Sequence, residues 1–161
     1  YETQKAILTD IIASLYAQGY RRLLIINGHG GNTFKSMIRD LSLDYPDFLI
    51  ATSEWFTFIP AREYFDEPGD HADELETSVM MHYHPELVDL SEAGDGKSKK
   101  FASQMLNEKV AWVPRHWTRV TEDTGIGNPK KATAEKGKRY AEAVTAKYAQ
   151  LFKELTEEIY Q

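Results

Sequence analysis

Apolar residues recur at three- and four-residue steps from about Glu2 to Ala17. Ala6, Ile7, Ile11, Leu15 and Tyr16 form the stripe of an amphipathic helix. Gly19 follows as a left-handed C-cap. The run Leu23-Leu24-Ile25-Ile26 is apolar and partly β-branched, the pattern of a buried strand in a parallel sheet. A polar turn then interrupts, Asn27-Gly28-His29-Gly30-Gly31-Asn32. Helical periodicity resumes from Thr33 to Leu43, with Met37, Ile38 and Leu41 on one face. Phe48-Leu49-Ile50-Ala51 reads as the next strand. Helix, strand, turn, helix and strand in this order predict right-handed βαβ crossovers, and with them a three-layer α/β/α sandwich around a mostly parallel sheet.

The stretch from Trp55 to Asp70 is irregular, with Pro60, Pro68 and Gly69, and long connections of this kind often carry function. A helix is predicted from about Ala72 to Tyr83, stopped before Pro85. Ala111 to Val113 reads as a short strand or edge, and Gly125-Ile126-Gly127-Asn128-Pro129 as a turn. From Lys131 to Ile159 the pattern is one long helix with Ala134, Ala141, Val144, Tyr148, Leu151, Leu155 and Ile159 as its stripe. No repeat, low-complexity tract or linker breaks the chain, so residues 1–161 read as a single α/β domain.

Composition narrows the chemistry. The 161 residues are 42% hydrophobic and 27% charged, ordinary for a globular domain. A net charge of −6 argues against a nucleic-acid partner, which needs clustered cations. No apolar run approaches the roughly 20 residues that cross a bilayer. The absence of cysteine removes thiolate ligands and nucleophiles and fits a reducing, cytoplasmic setting. Any metal site must therefore use His, Asp and Glu, donors that suit zinc, manganese or iron.

Two clusters stand out. His29 sits between glycines at the carboxyl end of a predicted parallel strand, where open α/β sheets place ligands. Its imidazole suits a metal, and backbone N–H groups nearby suit an oxyanion. The plainer alternative is an exposed glycine turn, although the framing Asn27 and Asn32 suggest side-chain bonds that hold it rigid. Farther on, Asp70-His71-Ala72-Asp73-Glu74-Leu75-Glu76 packs one His and four carboxylates into a helix start. Acidic residues there suit the helix dipole, and a His beside carboxylates also suits proton transfer. Alone, the segment is balanced between a cap and a site. His82, His84 and His116 read as structural or surface groups.

Together, Asn-Gly-His-Gly-Gly-Asn at a strand end, His-Ala-Asp-Glu-Leu-Glu-Thr-Ser some forty residues later and Gly125-Ile126-Gly127-Asn128-Pro129 resemble the creatininase (creatinine amidohydrolase) family across essentially the whole chain. The resemblance implies a centre of two divalent metal ions, zinc, manganese or iron. It implies hydrolysis of a non-peptide C–N bond, in a cyclic amide or formamide, by metal-activated water. It also implies a small-molecule amide substrate and a homo-oligomer, often a hexamer. By resemblance His29 matches a metal ligand, Glu76 an acidic residue that would bind metal or orient a ligand, and His71 a proton-transfer histidine. From the turn itself, backbone N–H groups at Gly30 and Gly31 are expected to hold an oxyanion, and Asp70, Glu74 and Asn32 are expected to bind substrate.

Two departures are visible. Creatininase proper carries Tyr and a metal-binding Glu where this chain has Gly30 and Gly31, which argues against creatinine as substrate and leaves a ligand for Glu76 to replace. The family also begins with a strand and loop bearing Glu-x-His and a nearby Asp, which nothing in Tyr1–Tyr20 matches. The expectation is therefore an incomplete site with a missing front, either outside these residues or on a separate chain, rather than a short, inactive relative. A metallopeptidase-like maturation enzyme and a non-catalytic α/β scaffold are the rival functions. The hydrolase expectation requires the glycine-framed His29 and the carboxylate-rich segment to face one cleft.

Overall fold

The computed structural model describes residues Tyr1–Tyr160. They divide into two compact units where the hydropathy pattern shows no linker. One is formed by Tyr1–Phe58 and the chain from Tyr148 on, the other by Ile59–Lys147.

The first unit opens with α1, Glu2–Ala17. Gly19 ends it at φ 88°, a conformation that glycine adopts without strain. Its N–H donates to the Tyr16 carbonyl at 3.0 Å, and the Tyr20 N–H reaches back to Leu15 at 3.0 Å, so two terminal carbonyls are satisfied in a Schellman cap. The buried face of α1 matches the predicted stripe only at its end, where Leu15 and Tyr16 pack against the core. Leu8 and Ile12 are buried, whereas Ile7 is 57% and Ile11 45% exposed. Apolar residues occupy more than one face of this helix, so periodicity alone does not choose between them.

Strand β1, Arg22–Asn27, pairs in parallel with β2, Leu49–Glu54, from Arg22 opposite Leu49 to Asn27 opposite Glu54. Between them runs α2, Lys35–Asp44. It begins later than Thr33, with Phe34 at its N-cap and no side-chain cap, so its first free N–H groups lie beyond the turn rather than directly on it. Successive side chains of a strand point to opposite faces. Leu23, Ile25 and Ile50 share a face and join one core with Leu8 and Ile12 of α1 and Met37 and Leu41 of α2. Ser53 lies on the other face. There its hydroxyl meets that of Tyr148 at 2.8 Å, and Phe58 stacks on the Tyr148 ring at 4.2 Å. Tyr148 belongs to the last helix, α6, Ala134–Glu154. Helices therefore cover both faces of a parallel sheet, as predicted. Strand β1 is less buried than its sequence suggests. Ile26 is 49% exposed, and β2 is its one strand partner among the described residues.

The second unit contains α3, Glu74–Tyr83, the short helices α4, Gln104–Asn107, and α5, Trp117–Val120, and the first part of α6. Tyr140 of α6 is fully buried, with Phe65 at 5.2 Å and Tyr64 edge-on at 5.4 Å. Gly137 lets α6 approach α3 closely, since a Cβ there would lie 1.9 Å from the Ser78 carbonyl oxygen. Helix α6 is shorter than predicted at both ends. Pro129–Lys131 forms a separate 3-10 turn, begun by the Asn128 side chain accepting the Lys130 N–H. Ala111–Val113 is not a strand. Lys109 turns the chain just before it at φ 59°, and Trp112 stands 83% exposed.

Candidate functional site

At the carboxyl end of β1, buried Asn27 organises the glycine turn. Its Oδ1 accepts the His29 N–H and the Asn32 Nδ2–H, each at 3.2 Å. The Asn32 N–H closes a β-turn on the His29 carbonyl at 3.0 Å. Both asparagines thus frame the loop as the sequence suggests. Within it the His29 ring folds back, and Nδ1 accepts the Gly31 N–H at 2.9 Å. A Cβ on Gly31 would meet that ring at 2.9 Å, so glycine here makes room for the histidine. Two consequences follow. The Gly31 N–H is already engaged and is not presented to an oxyanion in this geometry. With Nδ1 accepting, a neutral imidazole carries its proton on Nε2. A cation at Nδ1 would have to displace the Gly31 N–H.

In the second unit the acidic segment builds a helix start. Asp73 is the N-cap of α3. Its Oδ1 accepts the Glu76 N–H at 2.9 Å, and its Oδ2 accepts the Gly69 N–H at 2.6 Å. Glu76 reciprocates through Oε2, which takes the Ala72 N–H at 2.7 Å, one residue earlier than in a standard capping box. Ala72 is held at φ 47° by this arrangement. Glu76 also lines a cavity of about 420 Å³, together with Thr77, Met80, Leu90, Asp123 and Gly125. Glu74, expected to touch substrate, instead has 0% exposure. One carboxylate oxygen accepts the Glu67 N–H at 2.6 Å and the other pairs with Lys136. It is a structural carboxylate with both oxygens bound inside the protein.

His71 lies two residues before the cap. Its backbone forms an antiparallel bridge with Ile126, His71 N–H to Ile126 carbonyl at 3.0 Å and Ile126 N–H to His71 carbonyl at 2.8 Å. Here the Gly-Ile-Gly-Asn-Pro motif finds its physical role. Gly127, at φ 127°, leaves no room for a side chain, because a Cβ would meet the Asp73 Cβ at 2.6 Å and the Gly69 Cα at 2.8 Å. Asp70 pairs with Arg115, and the Trp117 ring meets the His71 imidazole at 5.0 Å. Nothing local in the sequence ties Arg115 or Trp117 to a histidine some 45 residues earlier. His84 pairs with Glu86 on the surface, and His82 packs on Tyr83.

An ion cluster fastens this unit. Lys136 Nζ lies 2.8 Å from Asp66 and also pairs with Glu74, while Lys131 reaches Glu67 at 2.7 Å. The hydrogen bond from Lys136 holds the Asp66 carboxyl below its ordinary value, and the bonds from Lys131 and then Asn128 do the same for Glu67. Asp66 first and Glu74 second raise Lys136, and Glu67 raises Lys131. The depressed carboxylates add stability that is present above the ordinary carboxylate range and lost as pH falls through it. The raised lysines add stability that is present below the ordinary lysine value and lost as pH rises past it. Thermal melting against pH should therefore show a plateau with losses at both extremes. Lys136→Met should flatten both shoulders, and an unchanged profile would contradict the cluster's role.

Among the described residues no three His, Asp or Glu side chains converge to hold a metal ion. The described donors therefore do not compose a metal centre by themselves. No helix among them is long and apolar enough to cross a membrane.

A parallel βαβ unit with a histidine turn at a strand's carboxyl end defines an α/β protein of the kind that binds ligands at such ends. Comparison makes this specific. The family profile Creatininase, creatinine amidohydrolase, matches residues 1–152, and the chain belongs to that family. It is 25% identical to 3-dehydro-scyllo-inosose hydrolase of Thermotoga maritima, over 93% of this chain and 55% of that protein. It is 31% identical to the mycofactocin precursor peptide peptidase of Mycobacterium ulcerans, over 76% of this chain and 45% of that one. A crystal structure of a candidate creatinine amidohydrolase from Bacteroides fragilis superposes with a TM-score of 0.95 at 61% identity, covering 100% of this chain and 64% of that one. Creatininase structures described as Zn-Zn type and as Mn superpose at 0.75 and 25% identity, over 95% of this chain and 63% of theirs. The chain thus spans about half the length of the curated relatives it matches.

Proposed function

We propose that this protein is a metal-dependent amidohydrolase that cleaves a non-peptide C–N bond in a cyclic amide or formamide. The carrying observation is family membership over residues 1–152; the Asn27-framed turn at His29 and the backbone bridge at His71 support the residue roles. A divalent metal would supply the attacking hydroxide by lowering the pKa of bound water, in keeping with relatives described in Zn-Zn and Mn forms. His29 in the first unit and Glu76 in the second are each proposed as a candidate metal donor. His71 delivers a proton to the leaving nitrogen. Gly30 and Asn32 face substrate at the β1 turn, and Asp70 orients it beside His71.

Assembly of several copies is part of the same proposal, and light scattering would measure it. The deciding assay is a substrate panel of formamides, lactams and dipeptides run on the metal-loaded full-length protein. Turnover confined to formamides or lactams supports the proposal. Turnover confined to peptides would favour instead a peptidase, the reading to which the Mycobacterium ulcerans relative points.

A further inference from the structure

Two residues outside every motif considered so far converge on the Asp70-His71 pair. Arg115 ion-pairs with Asp70, and its guanidinium lies 4.7 Å from the centre of the Trp117 ring. Trp117 in turn meets the His71 imidazole edge-on, with centroids 5.0 Å apart and planes at 62°. The backbone of His71 is fixed separately by its bridge to Ile126. The main chain of the histidine is thus held from one side while its ring rests on a second, independent support. An imidazole on a fixed backbone still has two free torsions, and a bulky aromatic edge limits which of their combinations are open.

We infer that Trp117 is a positioning residue for the His71 side chain, with Arg115 bracing Trp117 against Asp70. Trp117 does not touch the reacting atoms. It acts by holding the proton donor in one orientation, and this deepens the proposed function because it rests on His71 having that role. Misplacing a reacting group by about 1 Å is enough to lose on the order of 100-fold in rate.

The test uses the full-length, metal-loaded protein with carbon-13-labelled histidine, as wild type, Trp117→Ala, Trp117→Phe and Arg115→Ala. Trp117 is 38% exposed, so its truncation should leave the fold standing, which a melting curve checks. Trp117→Ala should move the ring resonances of His71 while leaving those of His29, His82 and His84 in place. It should lower kcat by about 10- to 100-fold with KM within about 2-fold. Trp117→Phe should recover most of the rate, and Arg115→Ala should shift His71 in the same sense by less. A His71 resonance unmoved in Trp117→Ala overturns the inference. So does a fully active Trp117→Ala beside an inactive His71→Ala. If His71→Ala is itself fully active, the proposed function fails instead, and the resonance shift alone still decides whether Trp117 orients the ring.

Discussion

Gly127→Ala is expected to lower the stability of the second unit by about 3–5 kcal/mol. A side chain at φ 127° carries backbone strain of about 1–3 kcal/mol. The added methyl would also overlap backbone and Cβ atoms, 2.8 Å from the Gly69 Cα and 2.6 Å from the Asp73 Cβ, and overpacking of that kind costs about 1–3 kcal/mol more. Neither neighbour is the far end of a flexible side chain, so little of the strain is relieved locally. Relief must come by moving the Ile126–Gly127 segment away from His71 and Asp73, which would also loosen the α3 cap. Urea unfolding measures the loss as a lower midpoint. A loss under about 1 kcal/mol would mean that the Gly69–Gly127 approach is not held tightly in solution.

His71→Ala should lower turnover by about 100- to 10,000-fold, the range expected when a positioned proton donor is removed. Bound metal should be nearly unchanged, because His71 is assigned to the leaving group and not to the ion. The fold should also persist, since the bridge to Ile126 is made by backbone atoms that alanine retains. Turnover, metal content and melting temperature measured on one preparation separate the possible outcomes. Equal loss of metal and activity would make His71 a ligand. Unaltered turnover would remove it from the chemistry.

Much of this architecture was legible in the chain because its signals are local. Helix α1 was bounded by its periodicity and Gly19, and the parallel pair by two apolar runs around a helix. The rigid β1 turn was signalled by Asn27 and Asn32. What was not legible depends on residues far apart in sequence. Glu74 looks like a member of an acidic site until Lys136, 62 residues on, is found beside it. The same segment also read as balanced between cap and site. The structure shows Asp73 and Glu76 capping α3, with Glu76 lining a cavity as well. The third motif was recognised as a pattern, but its cause lies in the packing of Gly127 on Gly69, which no periodicity reveals. The first turns of α1 were misjudged for a simpler reason, although Leu15 and Tyr16 of the predicted stripe do pack against the core. Ile7, Leu8, Ile11 and Ile12 offer two adjacent apolar faces, and only the neighbouring sheet and α2 select Leu8 and Ile12.

The same dependence on distant groups bears on the proposed chemistry. His29 is folded onto Gly31 with Nδ1 engaged, and no three His, Asp or Glu side chains converge among the described residues. Binding a cation through Nδ1 therefore means replacing one N–H bond in the turn as well as recruiting further ligands. Elemental analysis of the full-length protein, compared with its His29→Ala and Glu76→Gln variants, tests this most directly. Stoichiometric zinc, manganese or iron is expected in the unaltered protein, with a marked loss in each variant. Amide turnover by a protein free of metal, or full metal retention in both variants, would contradict it.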